Sequence, residues 1–141
     1  MEFKITKCSN SDYNKLALAI TKFNLSNLPP KSTNFMESLG FVIRHSTWGL
    51  LGGVTGKLLL GNCLSIDILW MDAKYSKRGY ATQLLLALEG AAVSYGSHLS
   101  HVDTFDFQAL GFYEKNGYEI FGILEDCPCV GNKRYYLKKS L

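Results

Sequence analysis

Lys77-Arg78-Gly79-Tyr80-Ala81-Thr82 is the stretch that decides how this chain folds. An apolar run, Leu64 to Met71, precedes it, and an apolar helical pattern, Gln83 to Ser94, follows. Strand, small basic turn and helix together make an arrangement that holds phosphate groups. Backbone N–H groups of the turn converge on one point. The first helical turn adds unpaired donors and the positive end of the helix dipole. Gly79 permits a positive φ, and Ala81 lets a ligand approach the backbone. Lys77 and Arg78 bring charge suited to an anion. The plainer reading is an ordinary turn with a solvated basic pair, and the motif alone does not choose between them.

Working outward, Cys63 to Met71 is nearly continuous in apolar residues and reads as a central strand, with Asp67 as the one charge inside it. Tyr80 to Tyr95 reads as the best helix. Leu84, Leu88 and Ala91 share one face, Ala81, Leu85 and Ala92 flank it, and Gly96 ends it. Leu99 to Phe105 reads as a strand. Asp106 is placed to cap a helix that runs through Lys115 and stops at Gly117. Tyr118 to Leu124 and Arg134 to Leu137 read as the last two strands.

Towards the N-terminus, Phe3, Ile5 and Cys8 suggest a short first strand. Ser9 or Ser11 can cap a following helix with the stripe Leu16, Ala19, Ile20 and Phe23. Asn27 to Ser32, with Pro29-Pro30, reads as loop, and Phe35 to Leu39 as a helical turn closed by Gly40. Phe41 to Arg44 and Trp48 to Val54 read as strands, the second extended by Leu58 to Leu60 before a Gly61-Asn62 turn. The order is strand, helix, a run of strands, helix, strand, helix, two strands. It predicts an α+β (mixed α/β) fold, one domain over 1–141, with a central sheet flanked by helices.

With 141 residues, 47% hydrophobic and 19% charged, the chain is long enough and apolar enough to bury a core without disulfides or metals. A formal net charge of +3 suits an anionic small ligand and falls short of a nucleic-acid footprint. Cys8, Cys63, Cys127 and Cys129 match no zinc spacing, so they read as reduced thiols and no metal is expected. No signal peptide and no membrane-length apolar run is seen, which predicts a cytoplasmic protein.

Two motifs, in order and on the expected elements, resemble the GNAT superfamily of acyl-CoA-dependent N-acetyltransferases. The family's pyrophosphate loop, Q/R-x-x-G-x-G/A, falls on Ser76-Lys77-Arg78-Gly79-Tyr80-Ala81. Gly79 and Ala81 match; Ser76 stands where the family has Arg or Gln. The second motif, approximately A-x-x-h-Y-x-x-x-G-F, falls on Ala109 to Tyr118, with Tyr113 at the tyrosine. Asp103 to Ala109, Gly122 to Asp126 and Arg134 to Lys139 are similar to a subset of small bacterial members.

The resemblance implies a mixed, mostly antiparallel sheet and transfer of an acetyl group from acetyl-CoA to a primary amine by direct attack. It implies that the backbone of Leu69, Trp70 and Met71 holds the pantetheine arm. Lys77, Arg78, Gly79, Tyr80, Ala81 and Thr82 would take the pyrophosphate. Tyr113 would be the general acid, since a phenol with a pKa of about 10 carries its proton at neutral pH. Its plainer role is packing against the sheet.

Asp67 is the first candidate for general base, on the same face as Met71 by strand alternation. It reads equally as a structural carboxylate bound to a loop or to Arg44. Asp103 is the second candidate, and His45, His98 and His101 rank below both. Trp48 and Trp70 suit an acceptor pocket or, more plainly, the core; Tyr135 and Tyr136 carry the same ambiguity. The acceptor amine is unreadable. Two other functions stay open: a non-catalytic acyl-CoA-binding module, motivated by Ser76, and a protein-interaction module. Edge pairing of the C-terminal strands offers a route to a homodimer.

Overall fold

The computed structural model describes residues 3–29, 37–60 and 62–141. Its elements are α1 (Asn10–Ser26), β1 (Glu37–His45), β2 (Gly49–Leu58), β3 (Leu64–Met71), a 3-10 turn (Ala73–Tyr75), α2 (Tyr80–Ser94), β4 (Leu99–Phe105), α3 (Leu110–Lys115), β5 (Glu119–Glu125) and β6 (Lys133–Ser140). The strands form one sheet in the order β1-β2-β3-β4-β6-β5. All neighbours are antiparallel except β3 and β4. This is the α+β architecture that the element order predicts, with the mixed, mostly antiparallel sheet that the resemblance implies.

The core lies on one face of that sheet. Leu84, Leu85, Leu88 and Ala92 of α2 and Tyr113 of α3 pack with Val54, Leu58, Leu64, Ile66, Val102 and Leu137 of the strands. Four of these α2 positions recur at helical spacing, so one face of α2 is driven onto the sheet by apolar burial. Gly56 lets β2 and β3 lie close together beneath α2. A Cβ there would sit 2.8 Å from the Ser65 carbonyl oxygen and 3.1 Å from Leu64 Cδ1. Gly56→Ala is therefore expected to destabilise the fold by about 1–3 kcal/mol, the usual cost of overpacking, measurable by urea denaturation.

Three N-terminal expectations are corrected. Residues 3–8 form no strand and are exposed, so Phe3 (88% exposed) and Ile5 join no sheet. Residues 37–39 are extended: β1 begins at Glu37 because its backbone pairs with β2 from Leu58 onward. The remainder of the expected helical turn, Phe35 and Met36, lies outside the described residues, as do Pro30 to Ser32 and Gly61. Trp48 sits in the turn between β1 and β2 rather than on a strand. The cap of α1 is Ser9: its hydroxyl accepts from Asp12 N, and the Asp12 carboxylate accepts from Ser9 N. Of the two C-terminal strands, only β5 has a free edge.

Candidate active site

β3 and β4 pair only at Leu64–Ser100 and Ser65–His101, then part. A bulge helps bend β3 away: Ile66 faces Gly56 and Ile68 faces Thr55, leaving Asp67 as the extra residue. The gap is a cleft of about 400 Å³ that passes through the sheet. Asp67, Leu69, Trp70 and Met71 line one side, with Asp103 and Thr104 opposite and Gln108 and Tyr113 closing it. Six residues singled out in the sequence, Asp67, Leu69, Trp70, Met71, Asp103 and Tyr113, thus meet in one place.

The bulge also overturns the expected alternation. Leu69 and Met71 pack against the core, whereas Asp67 turns to the other face and meets Lys57 at 3.6 Å. Its partner is Lys57, not Arg44. Asp103 is held more firmly: Arg134 Nη2 and Nε donate to its Oδ1 at 2.7 and 2.9 Å.

Tyr113 is buried, 3% exposed, with its ring edge-on to Phe112 and Tyr118. Burial pushes its phenol up to about 12, and the Asp103 carboxylate adds to the rise. The proton therefore stays on the phenol across the neutral range.

Beyond Met71 the cleft leads into a second pocket of about 460 Å³. Lys77, Gly79, Tyr80, Ala81 and Thr82 form its floor, with Phe112 and Lys115 on the far wall. Gly79 is the N-cap of α2 at φ +81°, a conformation that favours glycine, and a Cβ there would meet nothing within 4 Å. The space above the loop is open. Ser76 lines this pocket, but its hydroxyl donates back to the Ala73 carbonyl at 2.9 Å.

Arg78 departs from its expected place. Its guanidinium lies over the Tyr75 ring, 5.6 Å from the centroid, beside a third concavity of about 550 Å³ that Trp48, Asp72 and Lys74 share. That concavity is the largest of the three and holds none of the candidate catalytic groups. Neither tryptophan is core: Trp48 stacks on His45 at 3.8 Å and is 61% exposed, and Trp70 is 52% exposed. His45, His98 and His101 line neither the cleft nor the loop pocket.

Asp106 does not cap α3. Its carboxylate accepts from Lys133 N and Asn132 Nδ2, which fastens the β5–β6 loop. Thr104 Oγ1 instead accepts from Ala109 N at 3.2 Å. Gln108, Phe112 and Lys115 escaped the sequence reading, although all three lie within or beside the second motif. Among the described residues, no cluster of His, Cys, Asp and Glu is placed to hold a metal ion, and no helix is long and apolar enough to cross a membrane.

The family model described as "Acetyltransferase (GNAT) family" matches residues 31–118. The chain belongs to that family. It is 36% identical over 93 residues to the blasticidin-S acetyltransferase of Streptomyces morookaense, covering 65% of this chain and 67% of that one. The crystal structure of an acetyltransferase from Bacillus cereus ATCC 14579 superimposes with a TM-score of 0.90 at 32% identity, covering 99% of this chain and 98% of that one. An aminoglycoside 6'-N-acetyltransferase solved with coenzyme A shares the fold, with a TM-score of 0.66 at 19% identity over 74% of this chain and 73% of that one.

Proposed function

We propose that this protein transfers an acetyl group from acetyl-CoA to a primary amine by direct attack, with Tyr113 as general acid. The observation that carries the proposal is the placement of a buried, protonated phenol on a cleft that runs into a basic loop at a helix N-terminus.

The pockets suit an acyl-CoA. Lys77, Lys115 and the free N–H groups of Tyr80, Ala81 and Thr82 face a space open enough for a pyrophosphate. The β4-facing backbone of Leu69, Trp70 and Met71, released where the strands part, can pair with the amides of the pantetheine arm. When bound, acetyl-CoA supplies an activated thioester. The chain then has two proton tasks. Tyr113 gives its proton to the departing sulfur as the carbon–sulfur bond breaks. A carboxylate accepts the proton that the attacking ammonium must lose.

Asp67 is the better base, directly or through a water. Its contact with Lys57 is long and exposed, whereas Asp103 is gripped by Arg134. The likeness to a blasticidin-S acetyltransferase supports a polar, amine-bearing antibiotic as acceptor. The two carboxylates and the exposed Trp70 ring at the mouth of the cleft suit such a cation.

Thermal unfolding with acetyl-CoA tests the first half of this reading. Ligand at 100 times its dissociation constant is expected to stabilise the protein by about 2.7 kcal/mol. Gly79→Glu, which puts a side chain at φ +81° and a carboxylate where the phosphates would sit, is expected to abolish that shift. Thiol release that depends on an added amine tests the second half. Binding without turnover across an amine screen would favour the non-catalytic acyl-CoA-binding module that Ser76 suggests.

A further inference from the structure

The helix α1 is well capped and amphipathic, yet none of its residues is buried. Tyr13, Leu16, Ile20 and Phe23 recur at helical spacing on one side and are 54–68% exposed. Most helical stability in proteins comes from packing an amphipathic face, and within one chain that of α1 is uncovered.

The same chain carries a second uncovered apolar surface. The core occupies one face of the sheet. The opposite face exposes Val42, Ile68 and Trp70, and Phe121 beside the ring of Tyr136. Cross-strand pairing places Val42 against Gly53 and Gly53 against Trp70, so Val42 and Trp70 flank a glycine on this face, while Phe121 and Tyr136 form a second apolar area beyond the β3–β4 cleft.

The stand-off of α1 is shared with a protein seen in a crystal. Residues 3–29 are 27 of the chain's 141 residues. A TM-score of 0.90 over 99% of the chain leaves no room for that fraction to lie elsewhere in the Bacillus cereus protein.

We infer that two copies of this chain exchange their N-terminal arms, α1 of each lying on the open sheet face of the other. Both surfaces are present once per chain, so a two-fold exchange covers all of them and closes. At 1.5 Å per residue α1 is about 25 Å long and about 10 Å across. Two such helices, with both sides of each contact counted, bury on the order of 1,000 Å², the least expected of a biological interface. Ile68, Trp70, Asp67 and Asp103 stand both on the open face and around the β3–β4 cleft. The partner's arm therefore walls the end of the cleft where the acceptor enters, a consequence that rests on the acetyltransfer reading above.

The test is oligomeric state by light scattering after size exclusion, and it does not depend on activity. The unmodified chain is expected at twice its monomer mass. Leu16→Asp with Ile20→Asp spoils the arm, and Val42→Asp with Phe121→Asp spoils the face; each variant is expected to be monomeric. All four side chains are exposed in one chain, and circular dichroism verifies that the variants remain folded. Mixing the two variants leaves one sound arm and one sound face per pair, and is expected to restore a dimer. A monomeric unmodified protein, a dimer that survives the arm changes, or mixed variants that stay apart would each overturn the exchange. Amine-dependent turnover in a monomeric variant would remove only the acceptor-wall consequence. Loss of acetyl-CoA binding in the dimer would count against the functional reading alone.

Discussion

Tyr113→Phe is expected to lower kcat about 100-fold or more, within the range typical of a lost general acid, while KM for acetyl-CoA changes little. The substitution removes one oxygen and leaves the ring, so contacts with Phe112 and Tyr118 persist and the fold is retained. The pH dependence provides an independent readout. Burial first, then the Asp103 carboxylate, holds the phenol near 12 rather than its ordinary 10. The acid form is thus present throughout the neutral and mildly alkaline range. No alkaline fall in kcat from this group is expected until pH approaches 12.

The same shift has a stability consequence. The folded chain holds the proton more tightly than the unfolded chain, whose tyrosines titrate at about 10. The contribution is whole below that pH and is lost as pH rises through the folded value of about 12. Steady-state kinetics from pH 6 to the alkaline unfolding limit would check the first point. Full turnover by the phenylalanine variant with a competent acceptor would end the acid assignment.

The second half of the chain was legible because its local signals agree with its tertiary setting. The β3 run, the α2 stripe and the glycines after α2 and α3 each specify structure within a few residues. Gly96 and Gly117 take the positive φ expected of helix ends. The site was legible where a motif coincides with an element: Tyr113 on α3, Gly79 at the head of α2.

What escaped depends on long-range pairing. Asp67 reversed its face because of a bulge set by β2, which no alternation within β3 can report. Arg78 turned away because Tyr75 offers it a ring. Asp106 looked like a helix cap, but a partner 27 residues away, the Lys133 N–H, claimed it. The N-terminal error has a different origin. Phe3 and Ile5 alternate like a strand, but so short an alternation names no partner, and residues 3–8 pair with neither edge strand, β1 or β5.

Glu89 shows the same limit at its largest energetic scale. It lies on the apolar face of α2, with its side chain 8% exposed. Sequence alone gives it no reason to be there. Its Oε1 accepts from the Tyr118 hydroxyl at 2.9 Å and its Oε2 from Lys139 Nζ at 2.8 Å, groups brought by the residue just before β5 and by β6. The Tyr118 oxygen is 2.7 Å from Ser100 Oγ on β4, so one network ties α2 to both sheet partners behind it.

Burial raises the Tyr118 phenol well above its ordinary range, against the opposing hydrogen bond from Ser100, and Glu89 raises it further. Glu89→Ala removes the acceptor for both donors at once. Breaking a buried pair typically costs about 3–5 kcal/mol, and the lower end is expected here because Lys139 retains a path to solvent. Glu89→Gln keeps an acceptor for Tyr118 and gives up the ion pair, so its loss is expected to be smaller. Urea denaturation of both variants separates the two contributions. If alanine and glutamine cost the same, the hydrogen bond to Tyr118 adds nothing and the charge on Lys139 carries the whole effect. If neither costs more than a surface change, of about 0.5 kcal/mol, the network contributes no net stability.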